Sequence, residues 1–392
     1  MKRIKAGTKL CSMIKIKYIL LHSVLFLCCA NLSAQTIYTT VPTTVATFLR
    51  TPTDIIQSGM GNAGIATEAV EYATLNNIAK APFSKSVMGF GVTYSPWLTD
   101  IGANGAFITS LSGFKQLSSE QAFSFAFIYN GLGRAQFADA NGNNLDEFNT
   151  HELSFEGGYS RKLNDNMALG FTFKYINSAL GKGTVNNVTY KAGDAVAGDV
   201  SFLYRSENSY NDVFALGVIL SNLGNKVSYT SNGSKSFLPA NLGIGASYKF
   251  NGDGKTSITI AGDVNKLLVP AIPKVTNHYK DDSIAMVSYT QKSVPLSWVN
   301  SFADGSNQLS DLHVACGLEY GIAEKFFFRF GYSYEGKSVG GNKYFTTGLG
   351  GHFGSFGADV AYVIPSGTGL NRSPLANTVR LGINILLGND DK

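Results

Sequence analysis

A serine in a short glycine pattern is the first candidate for chemistry in this sequence. Gly336-Lys337-Ser338-Val339-Gly340 has the spacing of the nucleophile elbow, in which a sharp turn exposes a serine hydroxyl for acyl transfer. That motif needs a helix directly after the serine, whereas Gly341 and another strand pattern follow here. We therefore interpret the segment as a loop between strands and predict that the chain is not an enzyme.

A second pattern, Gly59-x-Gly61-x-x-Gly64, matches the fingerprint of dinucleotide-binding sites. The fingerprint also needs a preceding strand, a following helix and an acidic residue about twenty positions further on. Residues 79–87 supply Lys80 and Lys85 but no acid. We therefore interpret the glycines as tight backbone turns.

Potential metal ligands are scattered along the chain. The histidines are His22, His151, His278, His313 and His352, and no pair of them has metal-ligand spacing. Asp281 and Asp282 are adjacent, but no EF-hand pattern surrounds them, so we interpret them as a solvated turn. The sequence predicts neither a metal nor another cofactor.

Residues 1–34 have the pattern of a secretory signal peptide. Basic residues precede an apolar run from Ile19 to Ala30, and Leu32-Ser33-Ala34 precedes Gln35. The run is about a dozen residues long, which is too short for a helix that spans a bilayer. Without this segment the chain has 26 basic and 27 acidic residues, so its charge gives no indication of nucleic-acid binding. Three of the four cysteines lie in residues 1–34, so Cys316 is the one left after removal of this segment.

Segments with alternating apolar and polar residues extend from about residue 86 to the end. Their lengths of about ten to thirteen residues match tilted strands that cross a bilayer, and an even number closes an antiparallel barrel without free edges. The sequence therefore predicts an all-β fold, a 14-stranded antiparallel transmembrane barrel. The fourteen segments lie at about 86–95, 102–114, 120–131, 150–163, 167–177, 194–205, 211–222, 239–250, 255–265, 310–321, 326–336, 342–353, 355–364 and 376–388.

The connections between these segments differ in length at the two ends of the barrel. Those after even-numbered strands are short, such as Asn164 to Asn166, whereas most of those after odd-numbered strands are long. This pattern is typical of outer-membrane barrels, whose short turns face the periplasm. We therefore expect an integral protein of the outer membrane, surrounded by its lipid, with both termini periplasmic and the long loops extracellular.

Two hairpins pair opposite charges on the face that points into the lumen. Their short turns place Glu156 opposite Lys174, and Glu319 opposite Arg329. We interpret both as structural ion pairs that fill the lumen, because an unpaired charge there would be costly.

The connection Lys266 to Leu309 is long, apolar and interrupted by three prolines. An apolar loop at the outer rim either folds over the barrel mouth or contacts a partner, and the sequence leaves both open. Candidate partner-binding residues come from this loop and from the short loop after the first strand, namely Trp97, Tyr289, Pro295, Leu296, Trp298 and Phe302.

The N-terminal residues 35–85 lack alternation, and we predict a short helix over about Thr67 to Ala79. Their stretches Pro52-x-Asp54, Ser58 to Ala66 and Asn77 to Ala79 resemble FadL-like outer-membrane proteins of the PorV/PorQ group. Further stretches similar to that group are Val294 to Asp304, Leu318 to Tyr320, Phe328 to Tyr332, Gly341 to Gly348, Asp359 to Pro365 and Asn377 to Leu381. The resemblance implies a barrel over residues 86–392, with residues 35–85 as a plug in its lumen.

The resemblance also implies a role in the type IX secretion system of Bacteroidota. A member of the group would bind the folded C-terminal β-domain of secreted cargo at the giant outer-membrane translocon barrel. It would then carry the cargo to the surface attachment complex that cleaves the signal. The alternative is a FadL-like channel for hydrophobic small molecules, which needs an apolar pocket near the plug and a gap in the barrel wall.

Overall fold

The computed structural model describes residues 42–97, 105–138, 144–185, 187–231, 233–252, 254–273, 279–303, 311–366, 373 and 375–389. The predicted signal peptide lies outside these residues. The strands are β1 (Ser86–Pro96), β2 (Phe107–Gln116), β3 (Gln121–Ala138), β4 (Asn144–Asn164), β5 (Met167–Ala179), β6 (Gly183–Val185), β7 (Val188–Tyr190), β8 (Gly193–Glu207), β9 (Val213–Gly224), β10 (Asn241–Asn251), β11 (Thr256–Leu267), β12 (Leu312–Ile322), β13 (Phe326–Glu335), β14 (Lys343–Phe353), β15 (Phe356–Pro365) and β16 (Val379–Asn389).

Fourteen of these strands close into one antiparallel barrel, and β6 and β7 form a separate hairpin. Around the barrel the order is β1, β16, β15, β14, β13, β12, β11, β10, β9, β8, β5, β4, β3 and β2. The last strand pairs with the first, from Ser86↔Asn389 to Tyr94↔Leu381, so the sheet has no free edge. The predicted all-β, 14-stranded fold is confirmed.

The alternating apolar and polar residues of the sequence point to opposite faces of the barrel wall. On β13, Phe326, Phe328 and Phe330 lie outside and are about half exposed, whereas Arg329 and Ser333 are buried inside. A ring of large apolar side chains therefore faces outward and a polar surface lines the lumen, as expected for a barrel in lipid. Among the described residues, no helix combines the length and apolar character needed to cross a membrane.

The two rims of the barrel differ in the length of their connections. At the short-turn rim, strands are joined by residues 117–120, 165–166, 208–212, 252–255, 323–325 and 354–355. The opposite, long-loop rim carries the remaining connections, including the one from β11 to β12.

The hairpin of β4 and β5 differs slightly from the predicted turn. Glu156 pairs with Lys174, as expected, but a bulge between Lys162 and Asn164 shifts the register. Asn164 rather than Leu163 therefore pairs with Met167, and the turn holds two residues instead of three. The bulge leaves the register of the rest of the hairpin unchanged.

Residues 42–85 form a plug inside the barrel, and its path begins at the long-loop rim. Thr44 makes a parallel bridge to Phe237, in the connection from β9 to β10, and Val45 N–H donates to the carbonyl of Phe237. The plug ends at Ser86, which pairs with Asn389 at the short-turn rim. The described plug therefore begins at the rim opposite to the one where it joins β1. The expectation of both chain ends at the short-turn rim concerns residues before 42, which lie outside the described part of the chain.

The short plug helix is not where the sequence predicted it. The α-helix covers Ile55–Gly59, and the Asp54 carboxylate caps it by accepting from the N–H groups of Ile56 and Gln57. The predicted helix over Thr67 to Ala79 is wrong. Instead, the plug has short 3-10 turns at Thr47–Arg50, Ala73–Leu75 and Ile78–Phe83.

Wall side chains explain the irregular plug, because they satisfy backbone groups that a helix would otherwise pair. Asp263 accepts from the N–H groups of Gly64 and Ile65 at 2.7 and 3.0 Å. The hydroxyl of Ser247 donates to the carbonyl of Ala66 at 2.6 Å. Since these groups are bonded to the barrel, the segment does not need helical hydrogen bonds to be buried.

The glycines of the rejected dinucleotide pattern let the plug press directly against the wall. Gly61 has a φ of +66°, and a Cβ there would overlap the backbone of Tyr332 and Cys316. On the wall side, a Cβ at Gly331 would overlap Met60 and Gly61, and one at Gly317 would overlap Met60. Gly61 therefore allows a tight turn, as predicted, and it also allows the plug backbone to approach the wall backbone closely.

Candidate partner-binding site at the long-loop rim

The long connection from β11 to β12 contains two helices, Tyr279–Gln291 and Val294–Asn300. Pro295 lies in the first turn of the second helix, where its missing N–H would have no intrahelical partner. Of the prolines in this connection, Pro295 therefore helps to start a helix.

Both helices expose large apolar side chains. In the first helix, Ile284 and Val287 are three residues apart and are 62% and 53% exposed. In the second helix and just after it, Leu296, Val299 and Phe302 follow the same spacing and are 54%, 68% and 44% exposed. We call these five residues, together with Met286, the apolar surface. Exposed apolar side chains in this number are typical of an interaction site.

The predicted partner-binding residues divide into two groups. Pro295, Leu296 and Phe302 are exposed, whereas Tyr289 and Trp298 are half-buried. The residues predicted from the sequence were four aromatic ones together with Pro295 and Leu296, and they did not include Ile284, Val287 or Val299. The spacing of three residues within each helix was the signal that would have found them.

Trp97 lies elsewhere on the rim. It follows β1, which is five strands around the barrel from β12. Its backbone N–H donates to the carbonyl of Ala106, and its side chain is half-buried. The residues after it, 98–104, are outside the described part of the chain. The structure therefore does not join Trp97 to the apolar surface.

Lys226 holds the C-terminal end of the first helix. Its Nζ donates to the carbonyls of Thr290 and Lys292 at 2.8 and 2.7 Å, which places a cation at the negative end of the helix dipole. The same Nζ lies 4.1 Å from the centre of the Phe237 ring, and that ring packs edge-on against Tyr289 at 5.8 Å. Partial burial lowers the pKa of Lys226. Sequence reasoning did not identify this anchor, because its parts come from two separate loops.

Below the rim, the predicted ion pairs are present and each has an additional partner. Lys174 Nζ lies 3.5 Å from Glu156 and 2.9 Å from Asp199. Arg329 lies 2.7 Å from Glu319, and its Nη1 lies 2.6 Å from Asp359. In both groups one cation neutralises two carboxylates in a buried setting, which fits a structural role.

The lumen between the plug and the long-loop rim contains a small cavity of about 160 Å³. Its lining combines charged side chains, among them Arg50, Lys174 and Glu335, with apolar ones such as Leu49 and Ile219. Arg50 and Glu335 form an ion pair at 3.1 Å. An apolar ligand in this cavity would therefore meet charged groups as well as apolar ones.

Hydrogen bonds fix the plug to several strands around the barrel. They are formed by Ser112 with Glu71, Ser247 with Ala66, Lys249 with Glu68, Asp263 with Gly64 and Ile65, Thr346 with Gly59 and Gly61, and Arg380 with Pro52 and Ser58.

The comparison with protein families decides the identity. The model of the family described as "Type IX secretion system protein PorV" matches residues 33–274. The chain belongs to the PorV family. This PorV-family barrel is therefore an outer-membrane component of the type IX secretion system, as its sequence resemblance implied.

Comparisons with individual proteins give more distant similarities. No curated protein matches this PorV-family chain. Among solved structures, the Pseudomonas putida toluene transporter TodX has 11% identity and a TM-score of 0.47, covering 84% of this chain and 95% of that chain. The Ralstonia pickettii toluene transporter TbuX has 11% identity and a TM-score of 0.46, with the same coverage. A Pseudomonas aeruginosa FadL homologue has 11% identity and a TM-score of 0.40, covering 85% and 95%.

Proposed function

We propose that this protein binds the C-terminal β-domain of secreted proteins at the apolar surface of its two loop helices. The protein receives this cargo at the giant translocon barrel and carries it to the surface attachment complex that cleaves the signal. It acts as a carrier and performs no chemistry of its own. In this proposal the long-loop rim faces the outside of the cell.

One observation carries the proposal: the protein exposes Leu296 and Val299 on a loop at the rim of a barrel whose lumen holds the plug. A lumen occupied by the plug directs attention from passage through the barrel to contacts at its surface. Exposed leucine and valine side chains gain free energy when a partner removes them from water, by roughly 1.5–3 kcal/mol for each side chain that becomes fully buried. Membership of the PorV family supplies the secretion context.

The alternative function, a channel for hydrophobic small molecules, has less support. It needs an apolar pocket near the plug, and the cavity there contains the ion pair of Arg50 and Glu335 beside its apolar side chains. It also needs a lateral gap, and each of the fourteen described barrel strands is hydrogen-bonded to two neighbours. We therefore favour the carrier function.

The proposal is tested by replacing exposed apolar residues and measuring the binding of a purified β-domain. The probe is the C-terminal β-domain of one protein secreted by the type IX system of the same bacterium. Leu296→Ser and Val299→Ser together should weaken its binding to the purified barrel by about tenfold or more, since each removes an apolar contact worth about 1 kcal/mol or more. These residues are safer test positions than Trp298, because the side chain of Trp298 is half-buried.

The control is Lys280→Ser, which changes an exposed polar residue of the first helix. It should leave the affinity for the β-domain within about twofold of the original value, because surface changes of this kind are usually small. An equal affinity for the Leu296 and Val299 variants and the original protein would show that the apolar surface is not the binding site.

A further inference from the structure

We infer that Lys226 and Phe237 clamp the partner-binding helices onto the first residues of the plug, so that the plug takes part in cargo binding. The inference rests on the proposed function, because it concerns the same binding site. It assigns a positioning role to two residues that lie outside the apolar surface.

The clamp is built on a hairpin in the connection from β9 to β10. Val227 and Ser236 exchange backbone hydrogen bonds at 2.9 and 2.8 Å. This pairing places Lys226 opposite Phe237, directly beyond the hydrogen-bonded pair. The two side chains therefore meet as a cross-strand pair, with the ammonium 4.1 Å from the ring centre.

On its outer side, the clamp holds the end of the first loop helix. The ammonium of Lys226 satisfies the carbonyls of Thr290 and Lys292, which lie at the end of the helix and beyond it. The ring of Phe237 packs against Tyr289 on the inner face of the same helix. Removal of either side chain would release the helix that presents Ile284 and Val287.

On its inner side, the same hairpin holds the beginning of the plug. The carbonyl of Phe237 accepts from the N–H of Val45 at 3.0 Å. Around this bond, Val227 and Leu238 share a buried apolar cluster with Ala46 and Phe48 of the plug. Phe237 itself is 3% exposed, so it is covered from both sides.

One residue thus contacts the binding helix through its ring and the plug through its backbone. Partner binding that orders the helix should also order the first plug residues, and loss of the clamp should weaken partner binding. By thermodynamic linkage these two effects are reciprocal. The rest of the plug, from Pro52 onward, has its own bonds to the wall and should not respond.

The experiment measures hydrogen exchange of the purified barrel, with and without the same purified β-domain. The variants are Phe237→Ala and Lys226→Met, with Lys226→Arg as the conservative replacement. Lys235→Met, an exposed position of the same hairpin, is the matched control. Affinity for the β-domain is measured in parallel for each variant.

In the free protein, we expect Phe237→Ala and Lys226→Met to speed exchange of peptides covering 279–291 and of the Val45 amide. Peptides covering 55–66 should stay unchanged. Affinity for the β-domain should fall by about fivefold or more, the lower end of typical coupling effects. Lys226→Arg should recover most of the affinity, and Lys235→Met should leave it unchanged.

Different results would contradict the clamp and the proposed function. The inference is overturned if a variant speeds hydrogen exchange of residues 279–291 but leaves exchange of the Val45 amide unchanged. It is also overturned if Phe237→Ala leaves the affinity for the β-domain unchanged. Slower exchange at Val45 when the β-domain binds the original protein would support it directly. If the original protein does not bind the β-domain at all, the proposed function fails, whereas exchange in the free variants still tests the clamp.

Discussion

Arg329 on β13 reaches over β14 to Asp359 on β15, and their Nη1 and Oδ1 atoms are 2.6 Å apart inside the barrel. Gly350 on the strand between them leaves room for this contact, since a Cβ there would overlap Asp359. Both charged side chains are almost completely buried, and Glu319 also pairs with the same arginine. The group therefore joins β12, β13 and β15, across β14, at the level of the plug.

Breaking this buried pair should destabilise the barrel. Arg329→Met leaves Asp359 and Glu319 without their cation, and such losses typically cost about 3–5 kcal/mol. The free energy of unfolding can be measured from urea titrations of the barrel refolded in lipid vesicles. Glu324→Gln, which breaks the exposed pair with Lys85, should cost about 1 kcal/mol or less. Equal losses for the two variants would contradict the structural role of Arg329.

Adding one methyl group at Gly331 should displace the plug. The new Cβ would overlap the backbone of Met60 and Gly61, and overpacking of this kind typically costs about 1–3 kcal/mol. We expect Gly331→Ala to make residues 42–85 more sensitive to proteases while the barrel still migrates as a folded band in electrophoresis. Gly157→Ala is the control, because a Cβ there meets no atom within 4 Å. Equal protease sensitivity of the two variants would argue against close contact between plug and wall.

Glu71 should make the stability of the protein decrease with rising pH. Burial raises the pKa of this plug carboxyl to about 8, and the nearby Asp359 and Asp54 add to the effect, although Arg329 opposes it. Neither carboxyl oxygen has a hydrogen-bond partner on another described residue. The folded pKa is higher than the unfolded value of 4.5, so the folded state binds the proton more tightly. Stability therefore falls between pH 4.5 and 8, by up to about 1.4 kcal/mol per pH unit, and then levels off.

The matching variant is Glu71→Gln, which resembles the protonated acid at every pH. Its urea midpoint should equal that of the original protein near pH 4.5 and exceed it increasingly up to pH 8. Urea titrations at pH 5, 7 and 9 measure this difference. A constant difference between the two proteins across this range would show that Glu71 does not titrate on folding.

Cysteine labelling in intact cells should reveal the orientation of the two rims. Cys316 is first replaced by Ser, since it is the only cysteine after residue 34. Thr43→Cys, next to the bridge of Thr44 with Phe237, should react with a membrane-impermeant maleimide. Glu324→Cys, in the turn between β12 and β13, should react only after lysis. Both positions are exposed, so the reverse pattern would place the short turns outside the cell.

Local spacing in the sequence predicts the barrel and the register of two of its hairpins. Alternation identifies the face of each residue, and a short turn fixes which residues are opposite, so Glu319↔Arg329 and Glu156↔Lys174 followed from local spacing. The apolar character of the loop after β11 was also visible, although the choice between covering the barrel mouth and meeting a partner was not.

Contacts between distant segments could not be predicted from local spacing and became visible in the folded barrel. Asp359 and Asp199 are additional partners in the two ion pairs, and each comes from a strand outside the hairpin that forms the pair. The register of one hairpin does not predict such a partner. The plug adopts turns instead of the predicted helix because Asp263 and Ser247 satisfy its backbone groups from the wall. Phe237 meets Val45 and Tyr289 because the barrel brings three separate segments to one rim. Local spacing encodes strands and turns, whereas these contacts depend on how the closed barrel arranges residues far apart in the chain.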